Sequence, residues 1–328
     1  PSARSTVRTG RPTTPRSRRS SPRPPSASAR ATCSSCSTPA TSGPCPDDRA
    51  TARLPPGPLG GIGGGMQPVT AIDADLASRL DGVLCDIDDT LTWHGRLVPE
   101  AFTALDRLQQ AGLAVVPVTG RPAGWVDHLA RMWPVDGVVG ENGGLWMWMD
   151  GGRLHRGYWQ DDATRRANRA RLDQLAETIL TAVPGAALAS DQAYRDLDLA
   201  IDFCEDVPPL DDASIDAIVA AFHAAGATCK VSSIHVNGWF GDFDKRGGVA
   251  RFLHQRWGLS EPDAQARWLY VGDSPNDAPM FAAFPHSVGV ANVRELLPRM
   301  AHHPAWITEQ PGGHGFAELV DRLLSLRG

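Results

Sequence analysis

Chemistry-bearing residues gather at four places in this 328-residue chain, each behind an apolar run. The first is Asp86-Ile87-Asp88-Asp89-Thr90, following GVLC. Carboxylates two residues apart on an extended segment point the same way, and a turn after Asp86 would bring Asp88 back over the same pocket. The second, Val118-Thr119-Gly120-Arg121, sets a hydroxyl and a backbone N–H where a helix start can cradle a phosphate. Third comes Lys245, in Asp242-Phe243-Asp244-Lys245, at the opening of a helical pattern. A cation there opposes the helix macrodipole, so the position calls for nearby carboxylates and a bound anion. Lys230 is the one other lysine in the chain. The fourth is Gly272-Asp273-Ser274-Pro275-Asn276-Asp277, where Ser274-Pro275 suits a helix start. Asp86, Asp88, Asp273 and Asp277 together are hard oxygen ligands of the kind that suit Mg2+.

Four distant segments reach one point only if a frame brings them there. Apolar runs at 82–87, 113–118, 136–140, 268–271 and 287–290 read as buried strands. They alternate with helical patterns at 99–111, 122–132, 245–257, 276–284 and 315–326. This alternation predicts an α/β fold, a doubly wound parallel sheet of Rossmann-like build with ligands beyond its strand carboxyl ends. Between about 145 and 240 the texture changes. Leu197, Leu199, Ile201 and Phe203 alternate with Asp198, Ala200 and Asp202, as in a sheet with one wet face. With helices near 162–182 and 211–225, residues 145–240 read as an inserted α+β cap. The parallel-sheet domain then comprises 66–144 and 241–328.

Composition narrows the function classes. The net charge of −5 hides an asymmetry: residues 1–65 carry ten Arg, no Lys and two Asp, so the remainder carries −13. An acidic body argues against a nucleic-acid partner, and no apolar stretch is long enough to span a membrane. Residues 1–65 hold twelve Pro, eight Gly and few large aliphatics, too little apolar surface to offset chain entropy. They are expected to be a disordered tail, with ordinary sequence and the native start expected at Met66. The six cysteines form no disulfide framework, which suits a reducing cytoplasm.

In combination and in order, the four motifs resemble the haloacid dehalogenase superfamily over about 82–291. The insert's place, between the second and third motifs, is similar to the subclass IIB cap of the Cof type. The resemblance implies that Asp86 is a nucleophile forming an aspartyl-phosphate, and that Asp88 is the general acid and then the base. It implies that Thr119, Gly120 and Lys245 hold the phosphoryl oxygens. Mg2+ would be bound by Asp86, the Asp88 carbonyl and Asp273, with Asp277 in support. Asp88 marks the phosphatases and phosphomutases of the superfamily, while Asp89 departs from the Gly common in relatives.

The resemblance implies a small phosphorylated metabolite as substrate, a sugar phosphate as for the similar mannosyl-3-phosphoglycerate or sucrose-phosphate phosphatases. Gly140-Glu141-Asn142-Gly143-Gly144 is similar to the Glu-Asn-Gly segment of mannosyl-3-phosphoglycerate phosphatases and phosphomannomutases. Asn142, His235, Asn237 and Trp239 are candidate substrate contacts, and Arg195 is a candidate exposed cap cation for a carboxylate or second phosphate. Two rivals stand beside this reading: a phosphomutase needing a bisphosphate activator, and a non-catalytic binding protein on the same fold.

Overall fold

The computed structural model describes residues 65–232 and 234–328, so the expectation for the first 64 residues lies outside the described part. Six strands form a parallel sheet in the order Gln67–Pro68, Trp306–Ile307, Ser287–Gly289, Trp268–Gly272, Gly82–Cys85, Ala114–Pro117. A parallel bridge between Val118 and Val139 leads on to Val138–Gly140. Val83 and Cys85 point to one face and pack with Leu105, Leu108, Phe316 and Leu319. Leu84 points to the other, among Val116, Val249, Phe252 and Phe281. Alternate residues of one buried strand therefore serve two apolar layers, which is why its sequence is apolar throughout.

The strand that ends in Asp86 lies between the strands that lead to Thr119 and Asp273. That order alone converts three separate motifs into neighbours. Lys245 is brought to the same edge by helix Lys245–Trp257, whose N-cap Asp244 accepts from the Gly247 N–H at 2.8 Å. The early glycines of that helix have a steric cause. A Cβ on Gly248 would strike the backbone of Gly143, and one on Gly143, at φ +97°, would strike the Asp244 carbonyl.

Hairpin Leu145–Asp150/Arg153–Tyr158 extends antiparallel from Val138–Gly140, and its Leu145 and Met147 join the core's apolar cluster. Beyond it a four-stranded antiparallel sheet runs Thr228–Val231, His235–Trp239, Leu199–Asp202, Ala187–Leu188. Helices Asp162–Ala182 and Asp212–Ala224 supply Leu172, Ile179, Ile218 and Phe222 to its own core with Ile201 and Val236. The alternation at 197–203 is present, but the wet face is not: Asp198 and Asp202 are buried. Asp198 is covered by Arg195 and Asn237, and Asp202 accepts from the N–H groups of Cys204, Glu205 and Asp206. A polar face that carries its own partners can be buried without an unsatisfied group.

Candidate active site

Asp86 sits at a strand end with one oxygen accepting the Ile87 N–H at 2.7 Å and the other accepting Lys245 Nζ at 2.7 Å. Lys245 Nζ also donates to Asp277 Oδ1 at 2.8 Å and Asn276 Oδ1 at 3.2 Å. Burial disfavours the Lys245 cation, yet Asp277 and Asp86 more than offset this and raise its pKa. These two carboxylates also answer the dipole objection to a lysine at a helix start.

Asp277 is fully engaged. Its Oδ1 accepts from Lys245 and from the Tyr270 hydroxyl at 2.5 Å, and its Oδ2 accepts the N–H groups of Asp273 at 3.0 Å and Ser274 at 3.2 Å. The Ser274-Pro275 start is a capping box closed by Asp277. Asp277 thus shapes the loop that presents Asp273. The Asp273 carboxylate accepts from Thr90 Oγ1 at 3.1 Å and Asn292 Nδ2 at 3.3 Å.

Asp86, Asp273 and Asp277 bring ligand atoms within 4.8 Å of one another, all buried. Burial pushes the Asp86 carboxyl up to about 7 against the pull of Lys245, with Asp277 and Asp88 adding to the rise. Burial, with Asp277 and Asp86, also raises Asp273 well above the carboxylate range. Crowded buried carboxylates with one ammonium between them are under-neutralised, and their hard oxygen atoms are donors that a divalent cation could take. Asp277's filled lone pairs leave Asp86 and Asp273 as the side chains able to ligate directly.

Thr119 is buried behind the next strand, its hydroxyl accepting the Arg121 N–H at 3.0 Å. Gly120 faces Asn142, whose side chain lies 3.3 Å from where a Cβ would stand. Asn142 also donates its N–H to the Thr119 carbonyl at 3.1 Å. Asn142 therefore lies against the Thr119–Gly120 loop. Asp88 faces Arg121 across the mouth, and Asp89 takes φ +53°, a left-handed backbone that Asp tolerates better than most residues.

The cap residues fall differently. Arg195, expected as an exposed cation, is 7% exposed. Its donors go to both oxygens of Asp191, to both of Asp198 and to the Gly120 carbonyl, because the buried acids around it require a counter-charge. Trp239 is 1% exposed and stacked on Phe243 at 5.4 Å, in the apolar cluster shared with the core. Asn237 is buried and donates to Asp198 at 3.1 Å. His235 Nε2 lies 2.9 Å from Glu205 without hydrogen-bond alignment, and burial lowers its pKa.

Several participants were not singled out by sequence: Arg121, Thr90, Tyr270, Asn292, Asn276 and Glu141. Arg121, Thr90 and Asn276 lie inside the quoted motifs, so their proximity had a signal. Asn292 had none short of the strand order, and nothing marked Tyr270, although it lies on the strand that leads into the Asp277 turn.

Residues 83–165 match the haloacid dehalogenase-like hydrolase family. Two phosphoglycolate phosphatases, from Pyrobaculum neutrophilum and Methanoculleus marisnigri, are each 29% identical over 249 and 250 residues. Each match covers 74% of this chain, and 95% and 96% of the respective relative. A Thermoplasma acidophilum structure aligns with TM-score 0.59 at 18% identity, covering 75% of this chain and 99% of its own. The sucrose-phosphatase of Synechocystis sp. PCC6803, solved with sucrose and phosphate, aligns at 0.54 and 17%, covering 75% and 98%. These structures share the fold. Over 83–165 the chain is similar to the haloacid dehalogenase-like hydrolases, and its parallel core with an antiparallel insert is the α/β fold of these structures.

Proposed function

We propose that the chain is a Mg2+-dependent phosphatase that hydrolyses a phosphate monoester of a small metabolite, most readily a sugar phosphate. The observation that carries this is the Lys245 ammonium held at 2.7 Å on Asp86, with Asp273 alongside in one buried cluster. An oxygen nucleophile attacking a phosphate dianion needs its repulsion offset by fixed cations and donors.

In this reading Asp86 attacks phosphorus while Asp88 gives its proton to the departing oxygen. The bond from phosphorus to that oxygen breaks as the Asp86–phosphorus bond forms. Thr119, the Gly120 N–H and Lys245 hold the other phosphoryl oxygens. Asp88 then takes a proton from water as the water oxygen attacks phosphorus, which returns the Asp86 carboxylate and releases inorganic phosphate. Mg2+ bound by Asp86, Asp273 and the Asp88 carbonyl would neutralise charge on the transferring group.

The cap's polar residues support a hydroxyl-bearing leaving group. Arg195, Asp191 and Asn237 are committed to one another or to Asp198, whereas Glu205, close enough to Arg121 to raise its pKa, and His235 keep polar atoms suited to hydroxyls. A second reading, 2-phosphoglycolate as substrate, draws on the names of the two relatives and on Arg121, a half-buried cation near the site that could meet a carboxylate. Phosphate release from a panel of sugar phosphates and 2-phosphoglycolate, without any bisphosphate, separates these readings. It also separates both from a mutase, which would need the bisphosphate, and a binding protein would release none. We further propose a cap beginning after the hairpin that ends at Tyr158 and closing near 240, and a cytoplasmic location. Among the described residues no helix is long and apolar enough to cross a membrane.

A further inference from the structure

Residues 194–198 leave the cap and lie along the first turn of the core helix Ala123–Met132. Every residue in the run has a fixed partner. Tyr194 covers Gly124, where an added Cβ would come within 2.9 Å of the tyrosine's own. Arg195 Nη1 donates to the Gly120 carbonyl at 3.2 Å. Asp196 accepts the Tyr158 hydroxyl at 2.8 Å. Leu197 is buried in the apolar cluster that includes Val126 and Leu145.

The backbone of this run ends on one carboxylate. Glu141 Oε1 accepts the N–H of Asp196 at 2.8 Å, and Oε2 accepts those of Leu197 at 2.6 Å and Asp198 at 3.0 Å. Oε1 also accepts the N–H of Ala123 at 2.8 Å, capping the core helix. Glu141 is fully buried and has φ +43°, followed by Asn142 at +56° and Gly143 at +97°. Three successive left-handed residues, two of them not glycine, persist only where the surroundings hold them. The same segment grips the phosphate loop, since Glu141 N–H donates to the Arg121 carbonyl at 3.1 Å and Asn142 N–H to that of Thr119 at 3.1 Å.

We infer that residues 194–198 form a latch that docks on the Glu141 carboxylate and clamps the cap to the core, thereby holding the Thr119–Arg121 loop in its phosphate-binding geometry. Two routes carry the effect: Arg195 to Gly120, and Glu141 through its own backbone. Glu141 and Arg195 are positioning residues, because neither reaches the reacting atoms. The inference rests on the reading that Thr119 and Gly120 hold the phosphoryl group.

The test uses the full chain with Mg2+ and inorganic phosphate as the probe. Glu141→Gln keeps the shape but turns an NH2 toward backbone donors. It should quicken exchange at the amides of Ala123, Asp196, Leu197 and Asp198, and weaken phosphate affinity by about tenfold, the scale for losing a supporting hydrogen-bond partner. In turnover the loss should appear in KM more than in kcat. Gly124→Val pushes Tyr194 away without changing any charge, and should weaken phosphate in the same direction. Faster amide exchange with phosphate affinity held within about twofold in both variants would make the run a structural contact only and overturn the latch. If Glu141→Gln does not fold, Gly124→Val decides by the same measurement. Wild-type protein that binds phosphate but hydrolyses no monoester overturns the phosphatase reading and leaves the latch to these binding and exchange results. Wild-type protein without phosphate affinity overturns both.

Discussion

Arg121 grips Asp88 with two arms of its guanidinium: Nη2 is 2.7 Å from Oδ1, and Nε is 3.0 Å from Oδ2. The same guanidinium lies over the Trp125 ring at 4.5 Å, so its plane is fixed from behind. Burial disfavours the cation, but Asp88 more than compensates and raises the Arg121 pKa. The residue assigned to proton transfer is thus held by a planar partner that a lysine could not imitate.

The pair is partly exposed, so its worth to stability is at most about 1 kcal/mol. Its consequence should be kinetic. Arg121→Met is expected to leave the melting temperature nearly unchanged and to slow an alkyl phosphate by about tenfold, less than the loss of the acid itself. An aryl phosphate, whose leaving group needs little proton help, should suffer less. Equal losses on both substrates would show that Arg121 serves binding rather than the orientation of Asp88.

The acidic cluster makes a pH-dependent prediction. Folding lifts the Asp86 carboxyl to about 7, mainly through burial. An acid whose pKa is raised on folding contributes stability that is full below its unfolded value, ~4, and is lost as pH climbs through the folded value. Chelator-treated protein should therefore lose stability between about pH 4 and pH 7 from this group. Mg2+ prefers the ionised cluster, so its stabilising increment should be larger near pH 8 than near pH 5.5. Melting curves with Mg2+ and with chelator at both pH values measure this. Asp273→Ala should abolish the increment. An increment that is greater at the acidic pH would contradict the assignment.

How much of this was legible beforehand depended on the range of the interaction. Lys245 was legible because a cation at a helix start is locally unfavourable, and Asp86 and Asp277 are the long-range cause. Helix Lys245–Trp257 was readable to its ends despite Gly247 and Gly248, whose close approach to the 141–144 segment no local pattern announces. Asp198 misled: alternation reports which side chains share a face, not whether that face meets water or Arg195. Tyr270 and Asn292 come from ordinary strand and turn sequence. Tyr270 meets Asp277 through the turn that follows its own strand, while the adjacency of Trp268–Gly272 to Ser287–Gly289 brings Asn292 to Asp273.

Trp239 separates packing from recognition. It fills space between Phe243 and the shared apolar cluster with almost no surface left for a ligand. Trp239→Ala should cost about 3–5 kcal/mol in denaturant unfolding. Trp239→Phe, which keeps much of the volume, should cost less and leave KM for the substrate within about twofold. A several-fold rise in KM for Trp239→Phe, with stability preserved, would return this residue to the substrate site.

The two leading acids should fail in different ways. On the proposed mechanism Asp86→Asn preserves shape but removes the nucleophile, so no aspartyl-phosphate should form and every substrate should be lost together. Asp88→Asn leaves the nucleophile in place and removes the proton donor, so its penalty depends on the leaving group. General acid catalysis contributes ~10²–10⁴-fold for a sugar alkoxide, a poor leaving group without its proton. A nitrophenolate departs as the anion and needs far less help. Asp88→Asn should therefore keep much more of the first step on nitrophenyl phosphate than on a sugar phosphate. Its second step should also slow, since water is no longer activated, so phosphorylated protein should accumulate. Single-turnover nitrophenol release, read beside acid-quenched labelling of the protein, tests both halves. Labelled Asp86→Asn protein would remove Asp86 from the nucleophile's role. Equal first-step losses on the two substrates for Asp88→Asn would assign the proton transfer elsewhere.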